Sequence, residues 1–123
     1  MSDLAENLPI YIRITEGVKD AILSGELKEE SQLPSTTYLS KQYNINIATV
    51  NKAVNLLVDE GLVYKKRGIG MFVKKGALKA LISDRKKVFK ERYVKATLIE
   101  AKRLNIGVEE LQQIVKEAFE ETK

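Results

Sequence analysis

The chain contains no cysteine and no histidine. That removes disulfides, thiol nucleophiles, imidazole acid–base chemistry and the usual zinc ligands. An enzyme built on it would have to work with Ser, Lys, Tyr or carboxylates. The adjacent glutamates Glu29-Glu30, Glu109-Glu110 and Glu120-Glu121 fall in polar connections or at helix ends, where acids near an N-terminus are stabilising anyway. No metal-ligand spacing or phosphate loop occurs, and Gly68-Ile69-Gly70 does not extend to a dinucleotide pattern. The expectation is therefore no enzymatic activity, no cofactor and no metal. Long apolar runs are also missing. None approaches the ~20 residues of a membrane span, so no membrane partner is expected. The opening MSDLAENLP has neither the basic n-region nor the apolar h-region of a signal peptide. These absences suit a cytoplasmic protein in a reducing compartment.

What is present suits one small domain with a short appendage, in 123 residues. A hydrophobic content of 44% is enough for a core, and 31% charged residues favour solubility. The net charge of +4 and the pI of about 9.2 favour an anionic partner such as nucleic acid.

Only two prolines punctuate the chain, Pro9 and Pro34. Asn7–Gly25 reads as a first helix, with Asn7 as its cap, Pro9 near its first turn and Gly25 at its end. Ile10, Ile14, Val18, Ala21 and Ile22 share one face at helical spacing. Gly17, inside this helix, costs about 1 kcal/mol relative to Ala. After a polar connection, Pro34 blocks helix continuation. Ser35 then caps a short helix, Thr36–Tyr43, with Leu39 as its core residue. Asn44 lies in the turn. Asn46 caps a third helix, Ile47–Glu60, which Gly61 terminates. Val50, Ala53, Val54, Leu57 and Val58 form an apolar stripe on that helix. The opposite side carries Ile47, Ala48, Asn51, Lys52 and Asn55. One face is suited to a core and the other to base edges, although an ordinary amphipathic surface helix has the same pattern.

Leu62–Lys66 and Met71–Val73 read as two strands around the tip Arg67-Gly68-Ile69-Gly70, whose glycines permit a tight reversal and close backbone approach. Lys65, Lys66, Arg67, Lys74 and Lys75 cluster there, with no acid between residues 61 and 83. Phosphate contact is the favoured role. A charged edge that prevents strand pairing is the alternative. Helix, turn, helix and basic hairpin in this order make a winged helix-turn-helix, expected to span residues 1–75. Residues 76–123 are expected to form a helical tail. Leu78–Leu104 carries Leu78, Leu81, Ile82, Val88, Phe89, Tyr93, Ala96 and Ile99 on an apolar face, and its polar stretch Asp84–Lys87 invites a bend. Val108–Glu121 carries Leu111, Ile114, Val115, Ala118 and Phe119. Two such helices cannot bury both faces alone, so they must pack on a second copy or on the winged helix. The fold class is α+β, mostly α.

These residues together resemble the GntR superfamily of bacterial transcription regulators. PIYIRITEGVKDAILSGEL is similar to the family's first helix. LPSTTYLSKQYNINIATVNKAVNLLVDEGLVYKKRGIGMFV is similar to its LPS, capped T-V recognition helix, LL-x-x-EGL and R-G-x-G-x-FV pattern. The short two-helix tail resembles the YtrA-type subfamily. The resemblance implies a homodimer on double-stranded DNA, held by Leu78, Leu81, Ile82, Phe89, Tyr93, Ala96, Ile99, Leu111, Ile114, Val115 and Phe119. It implies repression at a pseudo-palindromic operator of a transport-related operon, and an unidentified small-molecule effector. Phe89 and Tyr93 would line an effector cleft or, as favoured, belong to the dimer core.

DNA contacts are expected from Ser35, Thr36, Thr37, Asn46, Ile47, Ala48, Thr49, Asn51, Lys52, Asn55, Lys66, Arg67, Gly68, Ile69 and Gly70. Many family members have Glu-Arg where this chain has Thr36-Thr37, and arginines where it has Ile47 and Asn51. Arginine reads guanine, whereas Asn pairs with adenine and apolar groups meet the thymine methyl. An A·T-leaning half-site core is therefore expected, read by Asn51 and Asn55 with Ile47 and Ala48 on methyls. Arg67 would enter a minor groove. Tyr38 and Tyr43 are expected to pack rather than to stack on bases. The missing arginines also admit a winged helix turned protein-interaction module.

Overall fold

The computed structural model describes residues 7–122. The first part of the leader reading, MSDLAE, lies outside them. Helix α1 spans Ile10–Ser24, α2 Thr36–Tyr43 and α3 Ile47–Asp59. Strands β1, Val63–Lys66, and β2, Gly70–Val73, pair antiparallel in the register Val63↔Val73 to Lys66↔Gly70. Then follow α4 (Ala77–Val88), a wider π-type stretch (Phe89–Val94), α5 (Lys95–Arg103) and α6 (Val108–Glu121).

Local chemistry explains most of these boundaries. Ser35 Oγ accepts the Tyr38 amide at 3.0 Å and Asn46 Oδ1 accepts the Thr49 amide at 2.9 Å, so both helices of the helix-turn-helix have side-chain N-caps. At the C-termini, Asn44 and Gly61 adopt positive φ, and the next amides, Ile45 and Leu62, return to the carbonyls of Ser40 and Leu57. That is the Schellman closure, which satisfies the last carbonyls of a helix. The start of α1 differs from expectation. Asn7 does not cap it. The helix begins at Ile10, and the carbonyl of Pro9 accepts from the Ile12 and Arg13 amides.

The first compact unit ends at Ser83. Its core joins Val18 and Ile22 of α1, Leu39 of α2, Val50, Val54 and Leu57 of α3, Val63, Met71 and Val73 of the hairpin, and Ala77 and Leu81 of α4. The expected stripe of α3 is the buried one. Leu81 is corrected here: expected among the dimer contacts, it is only 3% exposed and belongs to this core. It stands one helical turn from Ala77, whose position after the wing points both side chains inward.

Gly17 also finds its reason. A Cβ built there would lie 3.2 Å from the Tyr43 hydroxyl. Tyr43 is packed against the core, as expected, and needs that space. Gly17→Ala in a Tyr43→Phe background should stabilise by about 1 kcal/mol, the helix-propensity difference. In the parent chain the gain should be smaller, because the hydroxyl must move. Urea unfolding of the four proteins measures the coupling; equal gains in both backgrounds would contradict this account.

Where the wing meets α4, Glu29 Oε2 accepts the Leu78 amide at 3.0 Å. Hydrogen bonds from the backbone of Gly76 and then Leu78 hold the Glu29 carboxyl below its ordinary range, and Lys75 acts in the same direction. A carboxyl depressed in the folded state stabilises it above the unfolded-state pKa, and that contribution is lost as pH falls through the lower folded value. Glu29→Gln should therefore lower Tm at neutral pH, with the gap to the parent closing on acidification. Thermal melts from about pH 7 to pH 3 test this; a pH-independent gap would contradict it.

The second unit begins at Asp84. The polar stretch Asp84–Lys87, where the sequence admits a bend, lies inside α4 and does not interrupt it, because polar side chains on an exposed face do not break a helix. The irregularity lies at Phe89–Val94 instead. An i→i+5 turn takes in an extra residue and shifts the phase of the apolar stripe. Asn105, at φ 56°, closes α5 with the Ile106 amide on the Ala101 carbonyl. Ala101 is the one buried residue among the described residues of this unit. Phe89, Tyr93, Ile99, Ile114, Val115 and Phe119 all lie exposed.

Candidate nucleic-acid interface

Helix α3 owes its placement to the core beneath it. Val50, Ala53, Val54 and Leu57 are essentially fully buried, which turns Ile47, Ala48, Asn51, Lys52 and Asn55 outward. All five are exposed, as the sequence led one to expect. Asn51 has no hydrogen-bond partner among the described residues, so both halves of its amide remain available to a base.

The other polar groups on this face are engaged. Lys52 Nζ stands 4.0 Å from the centre of the Tyr11 ring. This cation–π contact aims the ammonium back toward α1. Lys65 Nζ, from β1, donates to Asn55 Oδ1 at 2.6 Å. Bidentate pairing with adenine needs that oxygen as an acceptor, so the lysine competes directly with the base for Asn55. The Thr49 hydroxyl donates to Asn46 Oδ1 at 3.1 Å. Its one proton is spent within the cap, and Thr49 must give up that bond to donate to a phosphate. Ser35 differs, since its oxygen accepts from Tyr38 while its own proton stays free. Thr36 and Thr37 stand in the first turn of α2, Thr37 exposed and Thr36 half-buried. Tyr38, expected to pack, is 55% exposed and lies outside the core, on the same short helix.

Tyr11 and Ile12 of α1 line an open groove of about 800 Å³ with Ala48, Asn51, Lys52, Asn55, Leu56 and Asp59 of α3. The groove runs along the candidate reading face and ends at an acid. Tyr11 was not anticipated from the sequence. Its role depends on how α1 crosses α3, which hydropathy periodicity does not encode.

The wing carries the second half of the surface. Tyr64 and Phe72 stack across the strands at 5.7 Å, and Lys66 Nζ lies 4.9 Å from the Phe72 ring centre. The Tyr64 hydroxyl donates to Glu30 at 2.6 Å, and this carboxylate holds the phenol above its ordinary pKa. At the tip, Gly68 takes φ +77°, and the Ile69 amide closes the turn onto the Lys66 carbonyl at 3.0 Å. Arg67 and Ile69 are exposed, Ile69 by 63%. A bare guanidinium and a bare aliphatic group thus project together from a glycine-framed turn.

No group of His, Cys, Asp or Glu among the described residues could hold a metal ion, and no described helix is long and apolar enough to cross a membrane.

The profile described as "Bacterial regulatory proteins, gntR family" matches residues 10–73. The HTH-type transcriptional repressor YtrA of Bacillus subtilis is 30% identical over 121 residues, 98% of this chain and 92% of its own length. Other curated relatives match over little more than the winged helix, and the chain spans about a quarter of their length. A solved GntR-family transcriptional regulator from Bacteroides thetaiotaomicron superposes with TM-score 0.76 at 30% identity, covering 94% of this chain and all of that one. The AraR DNA-binding domain in complex with its operator ORR3 superposes with TM-score 0.52 at 32% identity, over 54% of this chain and 80% of that one. The chain thus has the winged helix-turn-helix of DNA-binding transcription regulators followed by a helical tail, and it belongs to the GntR family of bacterial regulatory proteins as a homologue of YtrA.

Proposed function

We propose that the protein is a homodimeric, cytoplasmic repressor that binds a pseudo-palindromic operator. Each subunit lays α3 in a major groove and its wing against the neighbouring backbone and minor groove. The tail helices join the two copies. The observation that carries this reading is the second unit. It buries almost nothing by itself, yet exposes Phe89, Tyr93, Ile99, Ile114, Val115 and Phe119. An isolated 14-residue helix such as α6 is marginal in water without a partner, and a second copy supplies one with two-fold symmetry. Ser35, Thr36, Thr37, Lys52 and Lys66 contact phosphates, while Ile47, Ala48 and Asn51 read an A·T-leaning core. Half-site centres then lie about one DNA turn apart, and bound protein hinders RNA polymerase. The signal that releases it is a small molecule, and the regulated genes belong to transport, as the resemblance to the YtrA-type subfamily implies.

The test is selection of bound DNA from a random duplex library at low and at high salt. Enrichment of an inverted repeat, with affinity falling steeply as salt rises, is the expected result. Enrichment of single half-sites would refute the dimer, and no enrichment would refute operator binding.

A further inference from the structure

Wing and helix-turn-helix are joined by a side chain that belongs to neither. The segment ahead of α2 runs antiparallel to β2: Glu30 donates its amide to the Val73 carbonyl at 2.8 Å, Val73 to Ser31 at 3.0 Å, and Leu33 to Met71 at 2.8 Å. Gln32 faces Phe72 in this pairing. From there its side chain reaches along the hairpin, and Nε2 donates to the Ile69 carbonyl at 3.1 Å. The amide fills the space beside Gly70, where an added Cβ would lie 2.5 Å from Nε2. Gly70 is favoured by its backbone, at φ +146°, and any side chain placed there would push the Gln32 amide off the Ile69 carbonyl.

We infer that Gln32 is the positioning residue of the wing tip, through which Ile69 and Arg67 discriminate minor grooves that lack the guanine 2-amino group. This rests on the operator-binding reading above. The peptide that Gln32 holds is the one joining Ile69 to Gly70. Fixing its carbonyl fixes the direction of the Ile69 side chain, two residues from Arg67. Without Gln32 the tip keeps its turn bond from Ile69 to Lys66 and the strand pairing beneath it, but it loses the side-chain bond that ties the Ile69–Gly70 peptide to the segment ahead of α2. Ile69 offers no hydrogen bond, so it gains from an apolar fit against sugars and adenine C2 edges, and it meets the protruding guanine amine with a clash. Apolar groups at minor-groove steps and cations in narrow A·T tracts act in the same sense. A tip held in advance spends less ordering entropy on binding.

The probe is the duplex recovered by selection with the parent protein, with about six flanking pairs on each side made all A·T, all G·C or all inosine·C. Inosine·C presents the major groove of G·C without the 2-amino group. The parent should bind the A·T and inosine·C flanks about equally, and the G·C flank about tenfold more weakly. Gln32→Ala and the near-isosteric Gln32→Met should keep Tm within about two degrees of the parent, since the bond is exposed and modest. Both should reduce that discrimination to about twofold or less. Ile69→Ala should do the same, and Gln32→Ala should add nothing further to it. Full discrimination in both Gln32 variants, or additive losses in the double variant, would overturn the inference while leaving operator binding intact. A parent protein that prefers no duplex would overturn operator binding, and the inference with it.

Discussion

If the tail helices join two copies as proposed, Phe119→Asp combined with Ile114→Asp should convert the protein to a monomer in sedimentation and lower its affinity for a two-half-site operator by about a hundred- to ten-thousand-fold. The magnitude follows from effective concentration. In a dimer the second half-site binds intramolecularly, and that advantage vanishes once the copies separate. Both residues are exposed on α6, Phe119 by 71% and Ile114 by 44%, and neither belongs to the winged-helix core. The variant should keep its native circular dichroism in the first unit and should bind a single half-site as the parent does. A dimer that survives both substitutions would remove α6 from the interface. A monomer that still holds the full operator tightly would remove dimerisation from the binding mechanism.

Asn51→Ala should cost about 1–3 kcal/mol on the selected operator, the worth of one good bidentate base contact. The loss should be confined to one base pair per half-site, where preference for A·T disappears. Asn51 is the residue to choose because it alone among the amides on this face is free, whereas Asn55 is held by Lys65. Asn51→Arg should move the preference at that same pair toward guanine. Lys52→Ala provides the contrast. It should weaken every duplex alike and reduce the salt slope by about one unit, as removal of a phosphate contact does. A uniform loss from Asn51→Ala would demote it to a backbone contact.

Much of this surface was legible in the chain because the deciding chemistry is local. Ser35 and Asn46 cap helices by bonding to amides three residues away. Asn44 and Gly61 end helices through their own φ. The two faces of α3 follow from a period of 3.6 residues, and the wing follows from two glycines between short β-rich runs. Each signal acts within about one turn of chain, so it survives without knowledge of the fold. Asn7 is the exception that fits the rule. The helix begins two residues later than an Asn7 cap requires, which puts Pro9, with no side-chain acceptor, at the N-cap.

The rest required the tertiary structure. Gln32 and Ile69 are separated by 37 residues, and Glu29 and Leu78 by 49. Lys65 meets Asn55, and Lys52 meets Tyr11, only because of how strand and helices cross. Leu81 looked like its neighbours on an amphipathic tail, yet the end of the wing carried it into the core. The sequence by itself determined which helices and strands form, where they stop and which face of α3 is free, since backbone dihedrals and hydrophobic periodicity decide those matters locally. The tertiary structure alone decided which polar side chains on that face remain without a partner in the protein. Pairing between exposed side chains depends on distances between elements, and no periodicity along one chain contains them.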